Sequence, residues 1–334
     1  MSVKIGVIGC GAIGRDHTRR LVHLVPNADV VAVSDYFHES AEQVAKEYNI
    51  EAIKDSHELI KRKDIDAIVI CSSDSSHAEY VKAGLEADKF IFCEKPLAEN
   101  SKDCLDIVEM ELSKNRKLVQ VGFMRRYDAG YREIKNYIDN GNLGSALLIN
   151  AAHRNFTQPD GITTNMGITN VAIHEIDIFR WLLNEEYKAG KVFKVKQSRN
   201  SQGYDNPQLI LLETISGIII NVEIQVNDAY AYDIQCQVIC ENGTVNLPEP
   251  AKAYTRQNAT LQHPILTDWK DRFIEAYDVE LTEWVSAVEE GVVLGPTSWD
   301  GYAACRTAEV LNKSRDSDAL LEIDLIEKPS IYEN

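Results

Sequence analysis

The chain lacks the marks of several protein classes. Lys and Arg together number 35 against 52 Asp and Glu, a formal net charge of −17. Binding to phosphate backbones rests on Lys and Arg, so this balance argues against a nucleic-acid partner and against docking on anionic membranes. No apolar run approaches the ~20 residues that span a bilayer. The seven cysteines (Cys10, Cys71, Cys93, Cys104, Cys236, Cys240, Cys305) are odd in number and scattered, with no CxxC pair, and HExxH is absent. Neither a disulfide framework nor a metal site is expected. Several of these cysteines lie in apolar strand-like stretches, as reduced, buried thiols of a cytoplasmic protein do. The opening MSVKIGVIG enters a strand directly, without the basic and apolar blocks of a leader peptide. Repeats, low-complexity segments and long linkers are missing too. The expectation is a cytoplasmic globular protein with no membrane contact.

What is present has a clear grammar. A length of 334 residues suits one large or two ordinary domains. In the first third, the apolar runs VKIGVIG, DVVAVSD, DAIVICS, KFIFCEKP and KLVQVGF alternate with stretches of helical periodicity such as HESAEQVAKEY and SKDCLDIVEMELSK. Nearly continuous apolar strands separated by helices predict an α/β fold, a doubly wound parallel sheet covered on both faces. After about Tyr127 the pattern changes. One strong helix, NVAIHEIDIFRWLL, is followed by longer alternating runs (KVFKVKQSR, QLILLETISG, IIINVEIQVN, YDIQCQVICENG), with Ser-Gly and Asn-Gly at the turns. This predicts an α+β region whose mainly antiparallel sheet has one face on helices and one face open. Two helical segments close the chain. The predicted boundary falls between residues 123 and 124.

VKIGVIGCGAIGRDH places Gly9, Gly11 and Gly14 as GxGxxG, after the first strand and opening a helix. In that setting the glycines allow a tight turn, close backbone approach to a pyrophosphate and close helix–strand packing, which makes residues 1–123 a dinucleotide-binding domain. The first-turn amides of Ala12, Ile13 and Gly14 would face the phosphates. Asp35 ends the second strand about twenty residues on and would accept both adenosine ribose hydroxyls while repelling a 2′-phosphate, so NAD is expected rather than NADP. Dinucleotides lie across the carboxyl ends of parallel strands. Ser72, Ser73, His77, Glu94 and Lys95, at or just past such ends, are therefore candidate cofactor neighbours.

With Gly9/Gly11/Gly14, Asp35, CEKPLA and AIHEIDIFRWL together, the chain resembles the Gfo/Idh/MocA oxidoreductase family over its whole length. QVGFMRRYDAGY, AAHRN, NDAYAYDIQCQV and DWKDRFIEAYDVE are similar to the members that act on inositols. The resemblance implies a Rossmann domain and a second domain (124–334) for substrate binding and oligomerisation, with a homo-oligomer, a tetramer, built on the open sheet. It implies hydride transfer to NAD from a ring carbon bearing a secondary hydroxyl of a cyclic polyol. By motif, Lys95 carries over from EKP and His174 from the histidine of the HExD helix as catalytic residues. Arg125, His153, Asn155 and Tyr232 carry over as substrate-pocket residues. Four residues before the histidine these enzymes usually carry Asp; here it is Asn170, so the catalytic triad of Lys, Asp and His that the resemblance implies becomes Lys95, Asn170 and His174.

Removing a hydroxyl proton while hydride leaves the same carbon requires a base near neutral pKa, the range of histidine. His174 is the expected base, with Lys95 donating to the reacting oxygen and stabilising developing negative charge. α-Helical spacing would place Asn170, His174 and Asp177 on one face. Asn170 can hold a hydroxyl but cannot act as a carboxylate in a proton relay. Bland readings stand beside these: a satisfied core histidine, a strand-ending surface lysine, a solvated Arg125–Arg126 pair, and Tyr230 and Tyr232 packed on a neighbouring subunit. Another cyclic polyol or sugar dehydrogenase and a non-catalytic NAD-binding regulator are the competing functions.

Overall fold

The run VKIGVI is buried at five of its six positions as β1 (Val3–Ile8), because both sheet faces are covered. In this computed structural model, residues 2–157, 161–201, 203–250 and 252–333 are described. β1 is followed by α1 (Ala12–His23), β2 (Ala28–Ser34), α2 (His38–Tyr48), β3 (Glu51–Ile53), α3 (Ser56–Lys61), β4 (Ala67–Ile70), α4 (Asp74–Glu86), β5 (Phe90–Glu94), α5 (Ser101–Lys114) and β6 (Val119–Gly122). The strands pair in parallel in the order β3-β2-β1-β4-β5-β6, the two-halved arrangement of a Rossmann sheet. The β3–α3 step escaped the periodicity reading: three residues carry no strand pattern, and six carry less than two helical turns.

The rest of the chain supplies α6 (Ala129–Asp139), β7 (Ala146–Arg154), a π-helical turn (Gly167–Ala172), α7 (Ile173–Leu183), β8 (Tyr187–Lys194), β9 (Gln208–Thr214), β10 (Ile219–Gln225), β11 (Asp233–Cys240), β12 (Gly243–Asn246), the small hairpin β13 (Thr255–Gln257) and β14 (Thr260–Gln262), α8 (Trp269–Glu289), α9 (Ser298–Ser314) and β15 (Leu321–Glu322). Seven strands form the order β12-β11-β7-β10-β9-β8-β15, antiparallel except for the β7–β10 pair. Burial alternates strictly along β9 and β10, so one face is packed and the other is not. The expected single helix from Asn170 is instead a π turn running into α7. β8 begins four residues earlier than the run KVFKVKQSR suggested.

Two compact units divide the chain: 1–124, 277–306 and 325–334 form one, and 125–276 with 307–324 the other. Beyond the predicted cut at 123/124, two later segments, 277–306 and 325–334, thus return to the first unit, which helical periodicity cannot announce. Within the first unit those segments are tied down by a buried carboxylate. Glu111 of α5 accepts from the amides of Leu118 and Val119 through one oxygen, and from the Ser298 and Tyr332 hydroxyls through the other. Burial raises the Glu111 pKa, and these donors oppose the rise.

Glutamine at 111 can still accept both amides and donate to the two hydroxyls, whereas alanine orphans four groups. Glu111→Ala should cost about 3 kcal/mol and Glu111→Gln about 1 kcal/mol or less. Urea unfolding of both variants checks this; equal losses would mean the hydrogen bonds contribute little.

Candidate active site

In the first unit, the turn from β1 to α1 is shaped by what its glycines leave out. Gly9 has φ +97°, and a Cβ there would lie 2.5 Å from the Cys71 carbonyl and the Ser72 nitrogen at the end of β4. A Cβ on Gly14 would lie 1.9 Å from the Gly9 oxygen. Gly11, the N-cap of α1, is the opposite case, since a Cβ there meets nothing within 4 Å. No side chain caps α1 and its first turn holds no acid, so the positive dipole end and the first-turn amides of Ala12, Ile13 and Gly14 are not spent on a capping side chain. Asp35 is fixed beside this turn, accepting from the Cys10 amide at 2.6 Å and the Phe37 amide at 2.8 Å. Each oxygen of a carboxylate holds a further lone pair, which leaves acceptor capacity for two ribose hydroxyls. These residues fit a dinucleotide: a backbone cradle for phosphates and an anchored acid for the ribose. Cys10, inside the cradle, is no nucleophile. Burial first, and the Asp35 charge second, push its thiol up to about 12.

The other strand-end candidates sit within the same unit in distinct ways. Ser72 is half-buried and accepts from the Ser76 hydroxyl at 2.7 Å, while Ser73 is the exposed N-cap of α4. His77 is buried, with Nδ1 2.7 Å from the Pro96 oxygen and Nε2 3.2 Å from the Ser72 oxygen. Glu94 is buried and contacts His17 Nε2 at 2.8 Å. Lys95 directly follows β5 and is half-buried.

The second unit gathers its candidates on the packed side of its sheet. His153 faces inward from β7 and is 3% exposed. Its Nδ1 lies 2.9 Å from Glu175 and 3.1 Å from Arg125 Nη2, and Arg125 Nη1 donates to the other Glu175 oxygen. Arg125 and Glu175 are 1% and 2% exposed, so all three groups are buried. Below the guanidinium lies the Phe273 ring, its centroid 5.5 Å away, held at a kink in α8. Arg126 is paired too, Nε to Asp177 at 2.9 Å, so the arginine pair is not solvated; each member answers one acid of the HExD segment. Tyr232 is buried against His153 (ring centroids 5.9 Å) and Phe273 (6.4 Å). Burial pushes its hydroxyl up to about 12. His174 is buried with its ring centroid 6.4 Å from that of His153. The Oδ1 of Asn155 is buried and has no hydrogen-bond partner among the described residues, an acceptor suited to a hydroxyl. Asn170 sits in the π turn and accepts from the Thr169 hydroxyl at 2.7 Å. Because that turn adds a residue to the ladder, the spacing of an unbroken α-helix does not apply between Asn170 and His174.

Arg125, His153, His174 and Tyr232 are thus brought together. Glu175 and Phe273 are the members the sequence reading did not weigh for this site. Two adjacent arginines, Arg125-Arg126, and two acids, Glu175-x-Asp177, in the same unit are a faint signal for the first; nothing in sequence marks the second. Among the described residues no group of three or more His, Cys, Asp and Glu is placed to hold a metal ion, and no helix is long and apolar enough to cross a membrane.

A Rossmann sheet with a dinucleotide cradle, joined to a second unit with a buried histidine site on a mainly antiparallel sheet, defines a nicotinamide-dependent oxidoreductase architecture. The chain belongs to the Gfo/Idh/MocA oxidoreductase family: residues 3–123 match its NAD-binding Rossmann fold and residues 135–323 its C-terminal alpha/beta domain. It is 46% identical over 336 residues, covering all of both chains, to the inositol 2-dehydrogenase of Pseudomonas savastanoi pv. phaseolicola. It is 45% identical, covering 99% of each, to that of Klebsiella pneumoniae strain 342. The structure matches that of myo-inositol dehydrogenase from Lactobacillus casei in complex with NAD(H) and myo-inositol with a TM-score of 0.97, at 38% identity over all of both chains.

Burial alone would raise the Glu175 pKa; Arg125 and then His153 outweigh it and hold the carboxyl below its usual range. A depressed carboxyl stabilises the fold above the unfolded value of about 4.3, and that contribution disappears as pH falls through the folded value. Glu175→Gln should therefore cost about 3 kcal/mol at pH 7 and much less near pH 3. Unfolding curves at the two pH values check it; a loss independent of pH would remove the ionic explanation.

Proposed function

We propose that the protein is an NAD-dependent inositol dehydrogenase, oxidising one ring hydroxyl of myo- or scyllo-inositol to the ketone. The observation that carries this reading is full-length similarity to inositol 2-dehydrogenases, together with a second-unit site rich in hydroxyl-binding groups. When bound, NAD+ supplies the acceptor for the hydride leaving the carbinol carbon. Gly9, Gly11, Ala12, Ile13 and Gly14 hold its phosphates, Asp35 its adenosine ribose, and Ser72 and Ser73 border it.

His174 takes the proton from the reacting hydroxyl, and Lys95 stabilises the oxygen as negative charge develops. Arg125, His153, Asn155 and Tyr232 orient the remaining hydroxyls. Such a set can discriminate isomers strongly, because a misplaced hydroxyl leaves buried polar groups unmatched. Asn170 offers one acceptor and two donors where the family resemblance implies an acid, which favours, as a second reading, a neighbouring cyclic polyol or sugar as substrate.

The same reading makes the protein a cytoplasmic enzyme of inositol catabolism, supported by seven free, buried cysteines. It also makes the protein a homotetramer through the open sheet face. There half-exposed Leu148, Leu209, Leu211 and Ile219 alternate with polar groups, including an Arg154–Glu223–Asp233 ion cluster.

Absorbance at the NADH band, with myo-, scyllo- and chiro-inositol and glucose supplied separately, tests the activity. NAD+ reduction is expected with at least one inositol, with kcat/KM at least ~10-fold lower for NADP+, whose 2′-phosphate faces Asp35. Silence with every inositol while NAD+ still binds would discard the reading.

Asn170→Asp should retain activity and move the acidic limb of the pH profile upward, because a nearby carboxylate favours the imidazolium form of the base. An unmoved limb would detach Asn170 from the base.

A further inference from the structure

Three side chains next to Lys95 are buried in a way that contact with a cofactor does not explain. His17, in the second turn of α1, is 0% exposed and packs edge-on against Phe92 of β5, ring centroids 5.7 Å apart. Its Nε2 lies 2.8 Å from Glu94 Oε1, while Glu94 Oε2 accepts from the Lys95 amide at 3.2 Å. Both oxygens of Glu94 are thereby used inside the protein. The carboxylate lies over Gly122 of β6, where a Cβ would come within 3.1–3.2 Å of it, so the neighbouring strand accommodates the acid by having no side chain. On the other flank His77 is 1% exposed, and its Nδ1 lies 2.7 Å from the oxygen of Pro96. Both ring nitrogens face carbonyls, which can only accept, and the Pro96 contact is the shorter of the two (2.7 Å against 3.2 Å from Nε2 to the Ser72 oxygen), so the ring proton is assigned to Nδ1.

We propose that His17, acting through Glu94, and His77, acting through the Pro96 carbonyl, are positioning residues that clamp the two neighbours of Lys95 and thereby fix where its ammonium is delivered. This rests on the reading of Lys95 as the group that stabilises the reacting oxygen. It changes the roles of Glu94 and His77 from cofactor neighbours to supports. α1 contributes the phosphate cradle at its N-terminus and, one turn later, the residue that anchors the lysine strand end. α4, opening after Ser73, anchors the other side. A cation that must meet a developing charge within a fraction of an ångström needs such support, since misplacement by about 1 Å can cost about 100-fold in rate.

The test compares variants that delete a clamp with variants that keep its donor. His17→Leu and His77→Leu delete; His17→Gln places an amide N–H near Nε2, and His77→Asn places one near Nδ1. Each is measured for kcat and for the dissociation constant of NAD+ by fluorescence titration. A second readout needs no turnover: reductive methylation with 13C-formaldehyde, the Lys95 resonance being assigned by its loss in Lys95→Arg. For the leucine variants, kcat should fall about 10- to 100-fold with NAD+ affinity within about threefold, and the Lys95 resonance should shift or broaden. The Gln and Asn variants should recover most of both.

An unchanged kcat and unchanged resonance in the leucine variants would overturn the proposal. So would a loss of NAD+ affinity with kcat preserved, which would return these residues to cofactor binding. If a leucine variant fails to fold, Glu94→Gln, which keeps an acceptor for His17 but loses the charge, serves in its place. If the native protein oxidises no polyol yet the resonance responds as described, the functional reading fails while the clamp stands.

Discussion

The approach of α1 to β1 at Gly9 and Gly14 is the constraint on which the first unit's chemistry depends. A Cβ on Gly14 would overlap the Gly9 oxygen, and Gly9 itself needs a left-handed backbone pressed against the end of β4. That approach starts the helix at an N-terminus that no side chain caps. The same rigid helix, continued by one turn, brings His17 to Glu94, so the geometry that prepares for phosphate also sets the strand end bearing Lys95. A residue larger than glycine at position 14 would disturb two functions through one displaced axis.

In the second unit the corresponding constraint is sheet register. Along β7, His153 points into the packed side and Arg154 out of it. His153 joins Arg125 and Glu175 in a buried network, while Arg154 pairs with Glu223 and Asp233 on the open face. A slip of one residue would exchange these two positions, burying a second guanidinium beside that of Arg125 to share the one acid, Glu175, and parting Arg154 from Glu223 and Asp233. Buried charge of this kind adds little net stability, because desolvation offsets the attraction. Its effect is specificity: the alternative register is penalised far more than the native one is rewarded.

Much of this was legible in sequence, for reasons that also mark where legibility stops. The glycine spacing after an apolar strand announced the cradle, and Asp35 stood where the strand must end. The α2 and α5 segments were readable to the residue, because apolar periodicity is clear in both and each stops at an asparagine in the left-handed conformation, Asn49 and Asn115. β3 and α3 were invisible, being shorter than the periods used to detect them. The π turn at Gly167–Ala172 could not be read either, since one inserted residue does not alter apolar composition. The interleaving of the two units depends on where α8 and α9 pack, which no local pattern encodes. Glu175 was passed over because nothing local marks it as the counter-charge of an arginine fifty positions away.

Both candidate catalytic side chains share one local device. Lys95 is preceded by a buried glutamate, Glu94, held by His17; His174 is followed by a buried glutamate, Glu175, held by His153 and Arg125. In each case the anchored residue is the chain neighbour of the functional one. Neighbours in an extended strand point to opposite sides, and neighbours on a helix diverge by about 100°. Fixing one therefore orients the other without occupying the space in which it acts. The glutamates are held ionised by their partners although burial opposes it. In the proposed roles, each adds a fixed negative charge next to a group whose working form includes a positive one, ammonium for Lys95 and imidazolium for His174 once it has taken a proton. A neutral residue could supply the anchoring but not that field. The acids beside the two functional residues are thus chosen by electrostatics, and the histidines beyond them by the need to keep those acids ionised out of water.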